Sequence, residues 1–197
     1  KKGAKVYGGT AWNCEAIGTN EGNFVREDRK IRNFAARKMR KYSCRRIPKT
    51  SYGRIEDVRN KGKWIITKLH NGENILLSLG MGADVLYFEN EKDHGEKYQV
   101  KMVFTDGSGY TARFWWFGKF LLVSENELAT EPNTKDIALD PFDEKFTFEY
   151  FSSLLKGKKT RIKAFLMDQK NVSGIGNMYM HDILFKARLH PLKKISD

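Results

Sequence analysis

The segment Ser173-Gly174-Ile175-Gly176-Asn177 carries the most specific chemistry in this sequence. A glycine-bracketed turn that opens onto a helix brings backbone N–H groups close to an anion. Gly174 and Gly176 remove side chains that would block the approach, and Asn177 at the helix start can offer its amide to a phosphate oxygen. An ordinary glycine turn closed by Asn would show the same residues, so the segment does not decide alone. Lys63 is the other residue of interest, in principle as an imine-forming amine. Asp182 reads as structural and His181 as a solvent-facing helix residue. Cys14 and Cys44 lie 30 positions apart with no nearby Cys or His partner, which excludes a zinc motif built from them and suits free thiols in a reducing compartment.

These residues need elements to hold them. Ile31, Phe34, Ala35 and Met39 are spaced as one apolar face, which predicts a basic helix over 28–42. From Trp64 the pattern changes to short strands: Trp64–Leu69, Ile75–Leu79, Val85–Phe88, Tyr98–Phe104, Tyr110–Phe117 and Phe120–Val123. Asn71-Gly72 and Asp106-Gly107 are turn signals between them. The stretch 124–142 is polar, carries Pro132 and Pro141, and reads as a linker. Beyond it the period is helical. Phe148, Phe151, Leu154 and Leu155 mark a helix that Gly157 ends. Ile162, Phe165 and Leu166 mark a second, and Asn177 to Ala187 a third that His190-Pro191 stops. The expected fold class is α+β: an antiparallel β-sandwich over 1–130, then a helical domain over 137–197.

Charge narrows the partner. Arg26 to Lys63 holds 15 Lys/Arg against 4 Asp/Glu, and Lys156 to Lys194 holds 10 against 2, within a chain of net charge +12. Two basic blocks flanking an acidic middle fit the electrostatic footprint of a nucleic-acid binder, although solvated basic faces would look alike in sequence. No apolar run approaches the roughly 20 residues of a membrane helix, and the basic start leads to no apolar signal segment. The sequence therefore implies no membrane partner and a cytoplasmic location, at the nucleoid if the source is bacterial.

The run "DQKNVSGIGNMYMHDILFKARLHP" resembles the formamidopyrimidine-DNA glycosylase / endonuclease VIII family at the start of its helix-two-turn-helix element. The matching residues are Asp168-Gln169, Gly174-Ile175-Gly176-Asn177, Tyr179, Leu184-Phe185 and His190-Pro191. "LDPFDEKFTFEYFSSLLKGKKTRIKAFL" resembles the lead-in helices. "KGKWIITKL" resembles the strand whose Lys contacts phosphates near the lesion and puts Lys63 there. "LSLGMGA" resembles the turn whose Met fills the hole left by an extruded base and puts Met81 there; turn packing is the plainer role. "RFWWFGKF" keeps the Phe117-Gly118 of a wedging loop. Trp115 stands where the family usually has an Arg that pairs with the orphaned base, so Trp115 and Trp116 either stack on bases or pack inside. The resemblance covers roughly 54–197.

The resemblance implies a base-excision repair glycosylase with AP lyase activity, acting as a monomer on damaged double-stranded DNA and flipping a base from the stack. It implies DNA-binding roles for Lys63, Met81, Trp115, Phe117, Gly174, Gly176 and Asn177. The family's nucleophile is an N-terminal Pro followed by Glu; this chain starts Lys1-Lys2-Gly3, so it reads as cut at both ends and leaves the catalytic residues unknown. No cofactor is expected in the chain itself, and any zinc would sit in a C-terminal finger outside it. Two rivals stay open: a non-catalytic relative that binds damaged DNA, and an RNA-binding protein.

Overall fold

The computed structural model describes residues 31–36, 44–45 and 53–196. Cys14, the unread stretch 1–25 and the outer parts of the expected 28–42 helix lie outside the described residues. Contacts divide the described chain after Thr130 into a β unit and a helical unit, the latter also taking in the turn Lys61–Lys63.

The β unit contains two sheets. One has four strands in the order β1 (Ile31–Ala36), β7 (Val100–Phe104), β8 (Gly109–Arg113), β6 (Asp84–Phe88), each pair antiparallel. The other has five, in the order β2 (Cys44–Arg45), β9 (Lys119–Ser124), β5 (Glu73–Ser78), β4 (Trp64–Leu69), β3 (Ile55–Lys61). The α+β class holds, and β4 has the bounds its sequence predicts. One pair departs from the antiparallel expectation, since β2 runs parallel to β9.

The expected helix over 28–42 is not formed at its centre. Ile31–Ala36 is a strand that pairs with β7 through a bulge between Ile31 and Asn33. A helical spacing of four apolar residues fixes no backbone partner. The edge of β7 offers a row of N–H and C=O groups that must be satisfied, and pairing there overrides the local period.

Burial explains the central strands. Four consecutive residues of β5 and four of β8 are buried, so these strands read as apolar runs instead of alternating. β3 lies at a sheet edge, where Ile55 is its one fully buried residue. Leu69, Leu76, Met102, Val103 and Ala112 are wholly inaccessible and form the centre of the unit. Within the expected linker, Glu125–Leu128 forms a helical turn, α1. Ser124 and Glu127 cap it reciprocally, each side chain bonding the other's backbone.

In the helical unit, α2 (Phe148–Leu155) starts at Thr147, whose hydroxyl accepts from the Tyr150 N–H. α3 (Ile162–Met167) and α4 (Asn177–Lys186) share a core of Ile162, Phe165, Leu166, Val172, Met180 and Leu184. The chain after α4 turns back: Ile162 N–H bonds the Lys193 carbonyl at 2.9 Å and Ile195 N–H the Thr160 carbonyl at 3.0 Å. No helix among the described residues is long and apolar enough to cross a membrane.

Leu76 is inaccessible on the central strand of its sheet. Leu76→Ala is expected to lower stability by about 2–5 kcal/mol in a denaturant titration, as a cavity in a packed core does. A loss under about 1 kcal/mol would place Leu76 off the core.

Candidate nucleic-acid interface

The site residues expected from sequence fall into two groups, one in each unit, and each group is coherent by itself.

In the β unit, two loops meet back to back. Gly80-Met81-Gly82 follows β5, and Trp115 to Gly118 follows β8. The Met81 N–H donates to the Trp116 carbonyl at 2.8 Å and the Trp116 N–H returns to the Met81 carbonyl at 3.2 Å. The approach is close enough that a Cβ on Gly80 would collide with the Trp116 carbonyl oxygen, and Gly80 also needs φ +63°. Only glycine meets both demands. On the facing loop Phe117 itself takes φ +59°, which few side chains other than Asn or Asp adopt.

This bridge presents a cluster of apolar side chains to solvent. Met81 is 56% exposed, Trp115 48%, Trp116 61% and Phe117 71%. Of the two alternatives left open for the tryptophans, packing inside is therefore excluded. Trp115 is nonetheless held in place. The Arg113 guanidinium carbon sits 4.5 Å from its ring centroid, and its indole N–H donates to Asp84 at 3.4 Å. Arg113 and Asp84 face each other across β8 and β6. Sequence reading missed this pair; the signal for it was the register of the two strands, which motif matching does not supply.

In the helical unit, the loop 168–176 is built as a rigid cradle. Gln169 is its staple: its side-chain oxygen accepts from Gly174 N–H at 3.0 Å, and its amide donates to the carbonyls of Met167 at 3.1 Å and Ile175 at 3.0 Å. Ser173 N–H bonds the Leu139 carbonyl at 3.0 Å. Gly174 has φ +81°, and a Cβ there would come 2.7 Å from an Asp140 carboxylate oxygen. Gly174 and Gly176 are buried and Asn177 is exposed. α4 starts at Gly176 with no side-chain cap, so its first N–H groups have no capping side chain to bond. Together with the helix dipole, that end favours an anion.

Lys63 belongs to the same unit. It follows Gly62 at the turn between β3 and β4, and a Cβ on Gly62 would stand 3.2 Å from Ser173 Cβ and 3.6 Å from the Gln169 side-chain oxygen. The structure thus brings the Lys63 turn against the Gly174 loop. Lys63 is exposed to solvent, yet neighbouring atoms desolvate its ammonium enough to hold its pKa below the usual lysine value. The helical unit also carries Lys170, which bonds Asp136 at 3.1 Å and holds that carboxyl below its ordinary pKa. His181 and Asp182 lie exposed on α4, as solvated helix residues do. Among the described residues, no three His, Cys, Asp or Glu side chains gather as a metal site.

Residues 137–197 match the family described as the formamidopyrimidine-DNA glycosylase H2TH domain. The formamidopyrimidine-DNA glycosylase of Wolbachia sp. subsp. Brugia malayi (strain TRS) is 31% identical over 144 residues, 73% of this chain and 52% of that protein. That of Bradyrhizobium sp. (strain ORS 278) is 31% identical over 150 residues, 70% of this chain and 51% of the relative. The chain spans about half the length of the curated relatives it matches. Among solved structures, the MutM (Fpg) protein of Thermus thermophilus superposes with TM-score 0.71 at 25% identity, over 85% of this chain and 60% of that one. The Lactococcus lactis Fpg in complex with DNA containing an abasic site gives TM-score 0.68 at 25% identity, over 87% of this chain and 64% of that one.

Gly80→Ala tests the bridge. It is expected to cost more than about 1 kcal/mol, because the residue must leave a positive φ and the carbonyl of Trp116 must move. Near-ultraviolet circular dichroism of the tryptophans should change with it. Unaltered stability and spectrum would show that the loops do not depend on this approach.

Proposed function

Since the chain belongs to the formamidopyrimidine-DNA glycosylase family, we propose that it binds damaged double-stranded DNA and forms the DNA-holding part of a base-excision repair glycosylase with AP lyase activity. The observation that carries this reading is the uncapped start of α4, led into by a loop whose Ser173 and Gln169 stand against Gly62 of the Lys63 turn. Backbone N–H groups at a helix start, a side-chain amide and an ammonium are three kinds of donor that suit one phosphate or two adjacent ones. Gln169 holds the loop so that those donors are arranged before a ligand arrives.

Each residue has a stated part. Gly174 and Gly176 let the backbone close on the phosphate, and Asn177 donates its amide. Lys63 supplies charge, and its partial desolvation strengthens the attraction to an incoming phosphate. Met81 and Phe117 enter the stack where a base has left it, with Trp115 beside them. In the lyase step a protein amine adds to C1′ of the abasic sugar and loses water to give an imine, which then allows the strand to break. No described residue is assigned as that amine. The working state is a monomer in the compartment that holds the DNA.

The experiment is fluorescence anisotropy with a duplex carrying one abasic site, titrated across salt. Asn177→Ala should weaken binding by about 1–3 kcal/mol, the range for losing a polar contact whose partner stays buried. An unchanged dissociation constant would remove Asn177 from the interface. Lys63→Ala should weaken binding to any sequence and lower the slope of log K against log salt by about one. A slope equal to the parent's would place Lys63 away from phosphate. For the lyase activity, borohydride should trap a covalent adduct between the natural gene product and abasic-site DNA. Tight binding with no adduct would restrict the function to DNA binding, and an adduct mapped to Lys63 would reassign that lysine as the nucleophile.

A further inference from the structure

We infer that Lys61, Lys135 and Lys170 form a second site for a nucleic-acid phosphate, beside the cradle before α4, and that Asp136 holds this site in the free protein as a built-in competitor that the phosphate must displace. The inference rests on the DNA-binding reading above and deepens it. Lys170 Nζ stands 3.1 Å from Asp136 Oδ2, with 68% and 48% of the two side chains exposed. Lys135 precedes Asp136 in the chain, and Lys61 ends β3 on the turn that carries Lys63. The Lys170 hydrogen bond, with the charges of Lys135 and Lys61 behind it, holds the Asp136 carboxyl below its ordinary pKa. One carboxylate thus feels all three ammonium groups and stays ionised at neutral pH.

The backbone sets this patch beside the cradle. Ala138 N–H donates to the Gln169 carbonyl at 2.9 Å and Ser173 N–H to the Leu139 carbonyl at 3.0 Å, so the chain after Asp136 runs along the loop that Gln169 staples. A Cβ on Gly62 would stand 3.1 Å from Ile137 Cγ2, so the same stretch abuts the turn between Lys61 and Lys63. Lys170 N–H donates to the Asp168 carboxylate at 3.0 Å, which fixes the backbone that carries its ammonium. Backbone bonds already join these segments. The exposed Lys170–Asp136 pair is not needed to hold them, and a pair so exposed contributes little to folding. Its chemistry points to a ligand. An ammonium donates to a phosphate oxygen as it does to a carboxylate oxygen. A DNA strand carries one phosphate per about 3.4 Å of helix axis, so a strand seated at the start of α4 brings its next phosphates along the same wall. Asp136 cancels one of the three lysine charges before DNA arrives, and repels the phosphate that takes its place. It touches no base, so what it weakens is the hold on DNA of any sequence.

The test is fluorescence anisotropy of the whole chain across salt, with an undamaged duplex and the same duplex carrying one abasic site. Asp136→Asn is expected to bind both more tightly, by about three- to tenfold at low salt, with a slope of log K against log salt steeper by up to about one. Asp136→Ala, a second neutral variant, should do the same, and Asp136→Glu should bind as the parent does; thermal melting checks that each is folded. Lys170→Ala should weaken binding to both duplexes. In that background the gain from Asp136→Asn should shrink to about half or less on a log scale, because the two side chains act as a pair. Glu144→Gln removes the same charge from another exposed position of the helical unit and should change affinity by less than about twofold. If the parent binds and the folded neutral variants gain nothing, or no more than Glu144→Gln does, the inference is overturned and the DNA-binding reading stands. A gain undiminished by Lys170→Ala overturns it too. A parent that binds neither duplex sinks the DNA-binding reading, and this inference with it.

Discussion

Two backbone hydrogen bonds between Met81 and Trp116 are the constraint on which the exposed tip depends. Each is worth about 0.5–1.5 kcal/mol net. Against them stands a phenylalanine at φ +59°, a left-handed conformation costing roughly 1–2 kcal/mol for an ordinary side chain. The two sums nearly cancel. Glycine at position 80 tips the balance, because any other residue would add a collision with the Trp116 carbonyl to the strain already present. The residues that lead into the two loops, Leu79, Ala83 and Phe114, are buried, so the bridge holds four large side chains exposed on a base anchored in the core.

The two candidate subsites use opposite chemistry. The cradle before α4 is polar and rigid, held by one side chain, Gln169, that satisfies one N–H and two carbonyls of the same loop. Buried backbone groups need partners, and Gln169 supplies them without closing the helix start. The tip is apolar, held by backbone. Neither needs large motion to receive a ligand, which fits a protein whose affinity comes from arrangement more than from area.

Much of this is legible in sequence, and the reason differs by element. β4 is readable because its apolar run is bounded by a glycine turn on each side, Gly62 and Gly72. The helices are readable because Phe148 to Leu155 and Asn177 to Lys186 carry clear stops, Gly157 and His190-Pro191. β3 is not, since an edge strand that fully buries only Ile55 shows little hydrophobic signal. β1 misleads because helical spacing and strand pairing compete for the same six residues, and the partner strand lies about 70 positions away in sequence. At the site, the glycines, Asn177 and Lys63 announce themselves by type. Gln169, Arg113 and Asp84 do not, because what they do is set by which backbone or ring stands next to them.

Salt separates the contributions of the two subsites. Phosphate contacts release counterions, so under the proposed function the part of the affinity owed to Lys63 and the start of α4 would fall as salt rises. Stacking on exposed aromatic side chains releases none, and its share would persist at high salt. On the DNA-binding reading proposed above, a protein with this pair of sites would first meet DNA through charge, over many positions and with little discrimination. It would then dwell where a base is missing or displaced, since only there does the duplex open a gap that apolar side chains can enter without the cost of unstacking. Selection for damage would then follow from the energy of opening the stack, which the intact duplex must supply and the damaged one has already lost.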